Sequence, residues 1–449
     1  MDAMQLIQHI EAASADKIFE ELYGKDAIPS SRARYVKLAK ETLEAFPETA
    51  SDLRIFTAAG RTELGGNHTD HNRGKVLAAS IQLDAIAFVS KRDDNRVLFR
   101  SANYPDVIVD LSDLQARKEE EGTTEALLRG TAAEFVKRGI KVGGFTANAA
   151  NTVLSGSGLS SSAAVEVLFG AIFDGLYGDA KLSSVEIAQI GQKAENIYFG
   201  KPCGLMDQVA CASGGAVAID FADPQHPIVR QVQFDLTAVG YALCVVDTGG
   251  SHADLTSDYA AVPTEMKAVA QCFGKEVLRD LERSELIQKT KELRSLVGDR
   301  ALLRAFHFFA ENERVDAMLS SLEEANAAAK TGNMAAEEKA IDDFLDLVGQ
   351  SGDSSWELLQ NVFTPKLPKE QGVSLALALS REFFRTLGSE AKRAVCRVHG
   401  GGFAGTIQVY IPLTRMNEYI AWMEPIFGKK AVTVLRIRPI GARELEFDR

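Results

Sequence analysis

The chain has 449 residues, of which 46% are hydrophobic and 25% charged, and its formal net charge is -12. This length predicts two packed domains, the composition excludes long disordered tracts, and the negative charge disfavours non-specific binding to nucleic acid or anionic lipid. The sequence has neither an apolar span of membrane length nor the features of a secretory signal. We therefore expect a cytoplasmic protein, a monomer or weak homo-oligomer, without nucleic-acid or membrane partners.

The first half of the chain alternates helical and strand-like patterns. The spacing of apolar residues predicts helices near 4–22, 31–46, 124–138, 160–177 and 185–198. Ser183 and Glu186 form the sequence pattern of a capping box before the last of these helices. Runs of apolar and β-branched residues predict strands at 76–89, 97–100, 107–110 and 143–150.

The second half contains a long helical block between groups of strands. A region of about 258–350 is rich in Ala, Leu, Glu and Lys at helical spacing. Strand-like runs lie on either side of it, at 215–220, 229–236, 241–248, 394–412 and 431–440. We therefore expect an α+β protein of two domains, residues 1–240 and 241–449, with a soft boundary near residue 240.

Five cysteines, Cys203, Cys211, Cys244, Cys272 and Cys396, show no CxxC spacing. An odd number without paired spacing disfavours a disulfide framework and a cysteine zinc site. We expect reduced and mostly buried thiols. Packing is the favoured role even for Cys203, which lies inside a motif described below.

The segment LSGSGLSSSAA, residues 154–164, places glycines and three serines directly before a predicted helix. Glycine allows the backbone to approach an anion closely, and the free amides and dipole of a helix N-terminus attract negative charge. The segment is neither a Walker A loop nor a dinucleotide fingerprint. It therefore indicates a phosphate site, and a flexible Ser/Gly turn that caps a helix is the alternative.

The segment GRTELGGNHTDHNRG, residues 60–74, concentrates Arg61, Asn67, His68, Asp70 and His71 in a glycine-flanked loop. These side chains donate and accept hydrogen bonds as adjacent sugar hydroxyls require, and Arg can stabilise a transferred phosphoryl group. A polar surface loop with Asx turns is the alternative, and the spacing of the two histidines makes a zinc site unconvincing.

Two further glycine-containing segments carry candidate residues. In AENIYFGKPCGLMDQVACASGG, residues 194–215, the carboxylates are Glu195 and Asp207, which suit a magnesium ion and a substrate proton. Helix-end solvation is the alternative for Glu195. In HGGGFAGT, residues 399–406, the triple glycine permits close approach of the backbone to a ligand, or forms a simple hairpin turn.

These four segments, in this order and spacing, resemble the motifs of the GHMP kinases. GRTELGGNHTDHN resembles the galactokinase sugar signature, LSGSGLSSSAA the ATP loop, CGLMDQ the segment with the catalytic aspartate, and HGGGFAG the third motif. RAFHFFAENERVDAML, residues 304–319, is also similar to a helical region of galactokinases. The resemblance implies a two-domain GHMP kinase fold with the active site between the domains, and phosphoryl transfer from ATP to the anomeric hydroxyl of a galactose-like sugar.

The resemblance also implies a role for individual residues. Asp207 is expected to be the general base for the C1 hydroxyl, and Arg61 to lower its pKa and stabilise the developing charge. The expected ligands of Mg²⁺ are Ser162 and Glu195. The expected contacts of the ATP phosphates are Gly156, Ser157, Gly158, Leu159, Ser160, Ser161 and Ser162, and those of the sugar are Asn67, His68, Asp70, Gly204 and Tyr259.

The sugar segment departs from the family pattern GRVNLIGEHTDYN. It has Glu63 for Asn, Gly65 for Ile, Asn67 for Glu and His71 for Tyr, and the ATP loop has Leu154 in place of its usual proline. In the family that Glu faces the 6-hydroxyl, so a neutral Asn67 makes a C6-modified sugar such as galacturonate the alternative substrate. A non-catalytic galactose and ATP sensor is a further alternative, but the intact serine run, Arg61 and Asp207 argue against it.

Overall fold

The computed structural model describes residues 1–102, 104–153, 158–250, 255–388 and 393–447. Its strands are β1 Arg54–Gly65, β2 Lys75–Lys91, β3 Arg96–Ser101, β4 Val107–Asp110, β5 Phe145–Asn151, β6 Ala216–Asp220, β7 Ile228–Val232, β8 Tyr241–Asp247, β9 Val395–Val398, β10 Thr406–Pro412, β11 Val432–Leu435 and β12 Arg443–Leu445.

Its α-helices are α1 Ala3–Glu11, α2 Asp16–Tyr23, α3 Ile28–Ala45, α4 Thr124–Lys137, α5 Ser161–Tyr177, α6 Ser184–Lys193, α7 Met206–Ser213, α8 Thr256–Gln271, α9 Arg283–Val297, α10 Asp299–Thr331, α11 Met334–Ser354, α12 Gly372–Arg385 and α13 Met416–Phe427. Among the helices described, none is both long and apolar enough to cross a membrane.

The strands form two sheets. The first has eight strands in the order β12-β1-β2-β5-β3-β4, with β6 paired to both β2 and β7. The second has four antiparallel strands in the order β11-β8-β10-β9. Helices α4 to α7 pack with the first sheet around the largest apolar core, and α12 and α13 pack against the second sheet. The α+β class is confirmed.

The predicted helical block is confirmed as α8 to α11, and the capping box of Ser183 and Glu186 begins α6. Two of the predicted helices are shorter than expected. The helix expected over 4–22 is divided, because the chain turns at Ala13–Ala15 between α1 and α2. The helix expected to reach residue 198 ends at Lys193 and continues as a π-helical turn, Ala194–Phe199.

The segment expected to be a polar loop, residues 60–74, begins as strand. β1 runs to Gly65, and it pairs with β2 on one side and β12 on the other. Arg61 and Glu63 are therefore strand residues, buried by the helices and strands around them. The loop proper begins at Gly66, whose positive φ of 91° starts the turn that carries Asn67 to Asn72.

Candidate active site

Arg61 and Asp207 form a forked ion pair at the centre of the candidate site. Arg61 Nε donates to Asp207 Oδ1 at 2.8 Å and Nη2 donates to Oδ2 at 2.9 Å. β1 carries the arginine and the first turn of α7 carries the carboxylate. The arginine is buried, whereas the Asp207 side chain is 34% exposed and therefore accessible to a ligand.

Opposing influences act on the Asp207 carboxyl group. Burial raises its pKa, but the charge and hydrogen bonds of Arg61, together with a hydrogen bond from Ser160, hold the pKa below its ordinary value. The side chain is thus a carboxylate at neutral pH and can accept a proton from a hydroxyl group.

The end of the predicted phosphate loop contacts this ion pair directly. Ser160 Oγ donates to Asp207 Oδ2 at 2.5 Å, Arg61 Nη1 donates to the Gly158 carbonyl, and Arg61 N donates to the Leu159 carbonyl at 3.1 Å. Ser160 immediately precedes α5, the 17-residue helix whose N-terminal dipole and amides favour an anion here. The structure thus places the N-terminal end of α5 against Asp207.

The other predicted phosphate contacts lie at the start of α5 or outside the described residues. Ser161 accepts a hydrogen bond from Asn151 Nδ2 at 2.9 Å, and Ser162 is exposed in the first turn. Gly156 and Ser157 lie outside the described residues.

Glu195 lies in the π-helical turn next to α7. Its Oε1 accepts from Lys201 Nζ at 3.0 Å, and its Oε2 accepts from Gln208 Nε2 at 3.1 Å. The same Gln208 amide donates to Glu166 Oε2 at 2.9 Å. Within the described part of the chain, Glu166 Oε1 has no hydrogen-bond partner, and burial and then the charge of Glu195 raise the pKa of Glu166 well above its usual range.

This carboxylate cluster fits a magnesium ion in chemical type. The described residues contain no group of three or more His, Cys, Asp or Glu side chains arranged as a complete metal site. Mg²⁺ does not require one, since it usually keeps several waters and takes one or two protein oxygens together with substrate phosphates. The buried carboxylate of Glu195 and the exposed hydroxyl of Ser162 carry oxygens of that chemical type.

The predicted sugar residue Asp70 packs against the backbone of Gly204. A Cβ atom built on Gly204 would lie 1.8 Å from Asp70 Oδ2, so any residue other than glycine would displace the carboxylate. Asp70 Oδ1 also accepts from the His71 backbone amide at 2.9 Å. The structure therefore brings the sugar segment into contact with the turn that precedes Asp207.

Three other predicted sugar residues hold the triple glycine. Asn67 Nδ2 donates to the Gly400 carbonyl at 2.7 Å, His68 Nε2 contacts the Gly401 carbonyl at 2.9 Å, and Tyr259 OH donates to the Gly402 carbonyl at 2.9 Å. Burial, with a smaller effect of His71, lowers the pKa of His68 to about 4, so its neutral imidazole must donate through Nε2 to the carbonyl. The third motif is thus joined to the sugar loop.

Asn67 is also bonded to a buried charge pair that sequence reasoning missed. The Asn67 side chain is fully buried, its Nδ2 contacts both Glu63 oxygens at 3.0 and 3.2 Å, and its Oδ1 accepts from Asn361 at 2.8 Å. Arg397 donates to Glu63 Oε1. The signal in the sequence was the interchange of Asn and Glu between positions 63 and 67, which keeps an amide beside a carboxylate.

The site therefore combines a low-pKa carboxylate, a fixed guanidinium and a helix end that attracts anions. Those parts suit transfer of a phosphoryl group to a hydroxyl, because such a reaction requires alignment and charge neutralisation more than covalent chemistry by the protein.

Comparisons with known proteins support the same reaction class. Residues 126–215 match the GHMP kinases N terminal domain, and residues 43–91 match the galactokinase galactose-binding signature. The galactokinase of Streptomyces coelicolor is 31% identical over 398 residues, which cover 87% of this chain and 94% of that protein. The galactokinase of Mannheimia succiniciproducens is 29% identical over 388 residues, or 85% of this chain and 91% of that protein.

Solved structures share the fold. Lactococcus lactis galactokinase complexed with galactose matches with a TM-score of 0.72 and 23% identity, covering 91% of this chain and 99% of that one. A Methanococcus jannaschii mevalonate kinase matches with a TM-score of 0.56 and 14% identity, over 85% of this chain and 98% of that one. From the sequence relatives, the galactose-binding signature and the GHMP kinase fold together, the chain belongs to the galactokinase family of the GHMP kinases.

Proposed function

We propose that this protein transfers the γ-phosphoryl group of ATP to the C1 hydroxyl of galactose and so produces galactose 1-phosphate. The observation that carries the proposal is the contact of one carboxylate, Asp207, with both Arg61 and Ser160 at the N-terminus of α5. A sugar hydroxyl at this carboxylate would lie beside the helix end that attracts the nucleotide phosphates. The protein would act in the cytoplasm, as a monomer or weak homo-oligomer.

Asp207 would accept the proton of the C1 hydroxyl as that oxygen attacks phosphorus. Arg61 keeps the Asp207 carboxylate charged, as the lowered pKa of Asp207 reflects. The Arg61 guanidinium would also partly neutralise the charge of the transferred group. The rigid fork of two hydrogen bonds also holds Asp207 in one orientation, so that a bound hydroxyl meets a preset acceptor.

The remaining predicted residues would bind the two substrates. Backbone amides between Gly156 and Ser162 would hold the phosphates at the start of α5, and Asp70 would accept hydrogen bonds from sugar hydroxyls next to Gly204. Asn67, His68 and Tyr259 would shape the sugar pocket through the triple glycine whose carbonyls they contact.

Ser162 and Glu195 would hold Mg²⁺ together with the ATP phosphates. The ion supplies positive charge that screens the phosphate oxygens during transfer. Lys201 now neutralises Glu195 in part, so its ammonium would give up that contact or share the carboxylate when the metal binds.

Galactose is favoured over galacturonate by the position of Asn67. A preference for galacturonate would require a neutral amide that faces the C6 substituent, but the Asn67 side chain is buried and bonded to Glu63, Gly400 and Asn361.

A substrate panel tests the proposal. ATP-dependent phosphorylation should be strong with galactose and weaker with galacturonate, N-acetylgalactosamine and arabinose, and the product should carry phosphate at C1. Galactose turnover at background with strong galacturonate turnover would overturn it.

Asp207→Asn tests the assigned general base. It should lower kcat by about 10²–10⁴-fold while galactose still binds. A non-catalytic sensor would show no turnover in the parent protein.

A further inference from the structure

His399, the residue before the triple glycine, lies buried beside Gly158. It follows β9 and is 2% exposed. Its Nε2 lies 3.0 Å from Thr62 Oγ1 on β1, and its Nδ1 lies 3.1 Å from Thr406 Oγ1 at the start of β10. The imidazole thus bridges strands of the two sheets.

The hydrogen-bond network assigns the proton of this imidazole. Thr62 Oγ1 accepts from Gln408 Nε2 at 2.8 Å, so its own hydrogen is directed to His399 Nε2, and the backbone amide of Glu63 approaches the same nitrogen at 3.4 Å. Nε2 is therefore an acceptor, and Nδ1 carries the hydrogen and donates to Thr406.

The neutral state agrees with the surrounding charges. Burial, followed by the charges of Arg61 and Arg397, lowers the pKa of His399 well below its ordinary value, and Asp207 opposes this only in part. The imidazole is neutral wherever the enzyme is folded near neutral pH.

Gly158 lies directly against this imidazole. A Cβ atom on Gly158 would be 3.2 Å from both His399 Nδ1 and Thr406 Oγ1, and Gly158 has a positive φ of 70°. Its carbonyl accepts from Arg61, the residue that fixes Asp207. The position of His399 therefore limits how far Gly158 can move toward the core, and with it the end of the loop beside the catalytic pair.

We propose that His399 is a positioning residue for Gly158. Its neutral Nδ1–H tautomer is held by hydrogen bonds to Thr406 and Thr62. In that position it keeps Gly158 at the distance from Arg61 and Asp207 that nucleotide binding requires. The inference rests on the proposed function, since it assigns Gly158 to the ATP phosphates. His399 contacts neither substrate itself. Its loss should therefore weaken ATP binding more than galactose binding.

Two substitutions at position 399 separate positioning from general packing. His399→Phe fills the space but removes both hydrogen bonds, whereas His399→Asn keeps a donor at about the position of Nδ1. Loss of a buried hydrogen bond should raise the Kd for ATP about tenfold in His399→Phe, while His399→Asn stays within about threefold of the parent protein. The Kd for galactose should change less than about twofold in both.

His226→Phe is the matched control, because this histidine is exposed and contacts Asp223 on the surface. Calorimetric titration with ATP in the absence of sugar measures the Kd, and thermal unfolding reports whether each variant is folded. If His399→Phe does not fold, His399→Gln replaces it, since Gln reaches the Nε2 position but leaves Thr406 without its donor, and it should weaken ATP binding similarly.

Equal ATP affinity in all variants, or equal loss of ATP and galactose affinity, would overturn the inference. Its failure is distinguishable from failure of the proposed function, because ATP binding is measured without sugar. A parent protein that binds ATP but does not phosphorylate galactose would refute the proposed substrate and leave the His399 comparison intact.

Discussion

Asp207 shows how a single neighbour decides the protonation state of a catalytic carboxyl group. Burial alone would raise its pKa, and the forked contact with Arg61 reverses the shift. Ser160 adds a hydrogen bond to the same carboxylate. The ion pair therefore determines at which pH the proposed base can accept a proton.

Replacing Arg61 should shift the pH profile. In Arg61→Met the pKa of Asp207 loses its main lowering influence and rises, so the acid limb of kcat/KM should move to higher pH, and kcat should fall about 10²-fold or more because the developing charge is not neutralised. Steady-state kinetics measure both effects. The pH series should run from about 4, close to the usual carboxyl pKa, to about 8.

Arg92→Met is the matched control for this prediction. Arg92 makes the same type of forked contact with Asp94, at 2.8 and 2.7 Å, but on the surface. Its replacement should leave both kcat and the acid limb unchanged. An acid limb that stays in place in Arg61→Met would contradict the assigned role of the ion pair.

Gly204 should tolerate no side chain. The Cβ atom of Gly204→Ala would overlap Asp70 Oδ2, so the carboxylate must move, and the KM for galactose should rise about tenfold or more through loss of a charged hydrogen bond. Gly349→Ala is the control, because Gly349 lies within α11 and its Cβ would meet one atom, Val395 Cγ1 of β9, at 3.8 Å. It should stabilise the protein by up to about 1 kcal/mol. An unchanged galactose KM in Gly204→Ala would refute the role of Asp70.

At the scale of elements, a buried ion pair joins the two sheets. Glu63 on β1 and Arg397 on β9 are both buried, and Arg397 Nη1 also donates to the Leu64 carbonyl at 2.7 Å. Burial raises the pKa of Glu63 even though the charge of Arg397 opposes it. The pair therefore orients Asn67 and the sugar loop at a cost in desolvation.

Removing one partner of the Glu63–Arg397 pair should lower the free energy of unfolding more than removing both partners. Arg397→Met should destabilise the protein by about 3–5 kcal/mol, because Glu63 is left buried without its counter-charge, and Glu63→Gln/Arg397→Met should be less destabilised. Urea unfolding at pH 7 measures both free energies. A double variant as unstable as the single one would contradict the argument.

The stability of Arg397→Met should also depend more strongly on pH than that of the parent protein, with a defined sign. Without Arg397, the folded-state pKa of Glu63 rises further above its unfolded value. Its folded state then binds a proton that the unfolded state releases, so stability is present at low pH and falls as pH rises, by up to about 1.4 kcal/mol per pH unit. Urea unfolding at a series of pH values above the ordinary glutamate pKa should show that decline relative to the parent protein.

At the scale of the whole molecule, the last strand returns to the first sheet. β12 pairs with β1, and Arg438 donates to the buried Asp84 of β2 at 2.7 Å. Leu445 and Phe447 pack with residues of α2, α3, β1 and β2 in one apolar cluster. We propose a division into two domains near residue 240, just before β8. The C-terminal end of the second domain, including β12, then completes the sheet and apolar core of the first domain.

This return of the chain predicts a stability effect far along the sequence. Phe447→Ala should destabilise the protein by about 3–5 kcal/mol, because the aromatic ring packs against Phe19 and Tyr35. Ile108→Ala, at an exposed position of β4, should change stability by less than about 0.5 kcal/mol. Thermal or urea unfolding measures both free energies. A small effect of Phe447→Ala would refute the proposal that the C-terminal end of the chain completes the first domain.

The amino-acid sequence by itself determined the elements and motifs whose signals are local. The helical block, the capping box at Ser183 and the Ser/Gly run before α5 are set by residues within a turn or two of each other. The same local patterns carried the resemblance to the galactokinases. The resemblance also paired Arg61 with Asp207, but it did not give the geometry of their contact.

Only the tertiary structure decided how the side chains of the site contact one another. Arg61 reaches Asp207 across 146 residues, Arg397 reaches Glu63 across 334, and His399 reaches Thr62 across 337. Such contacts depend on strand order and register, because side chains alternate between the faces of a sheet and a shift of one residue would turn each of them away. Residues that are adjacent in the sequence do not determine this register. It is set only when strands that are distant in the sequence pair in the folded chain.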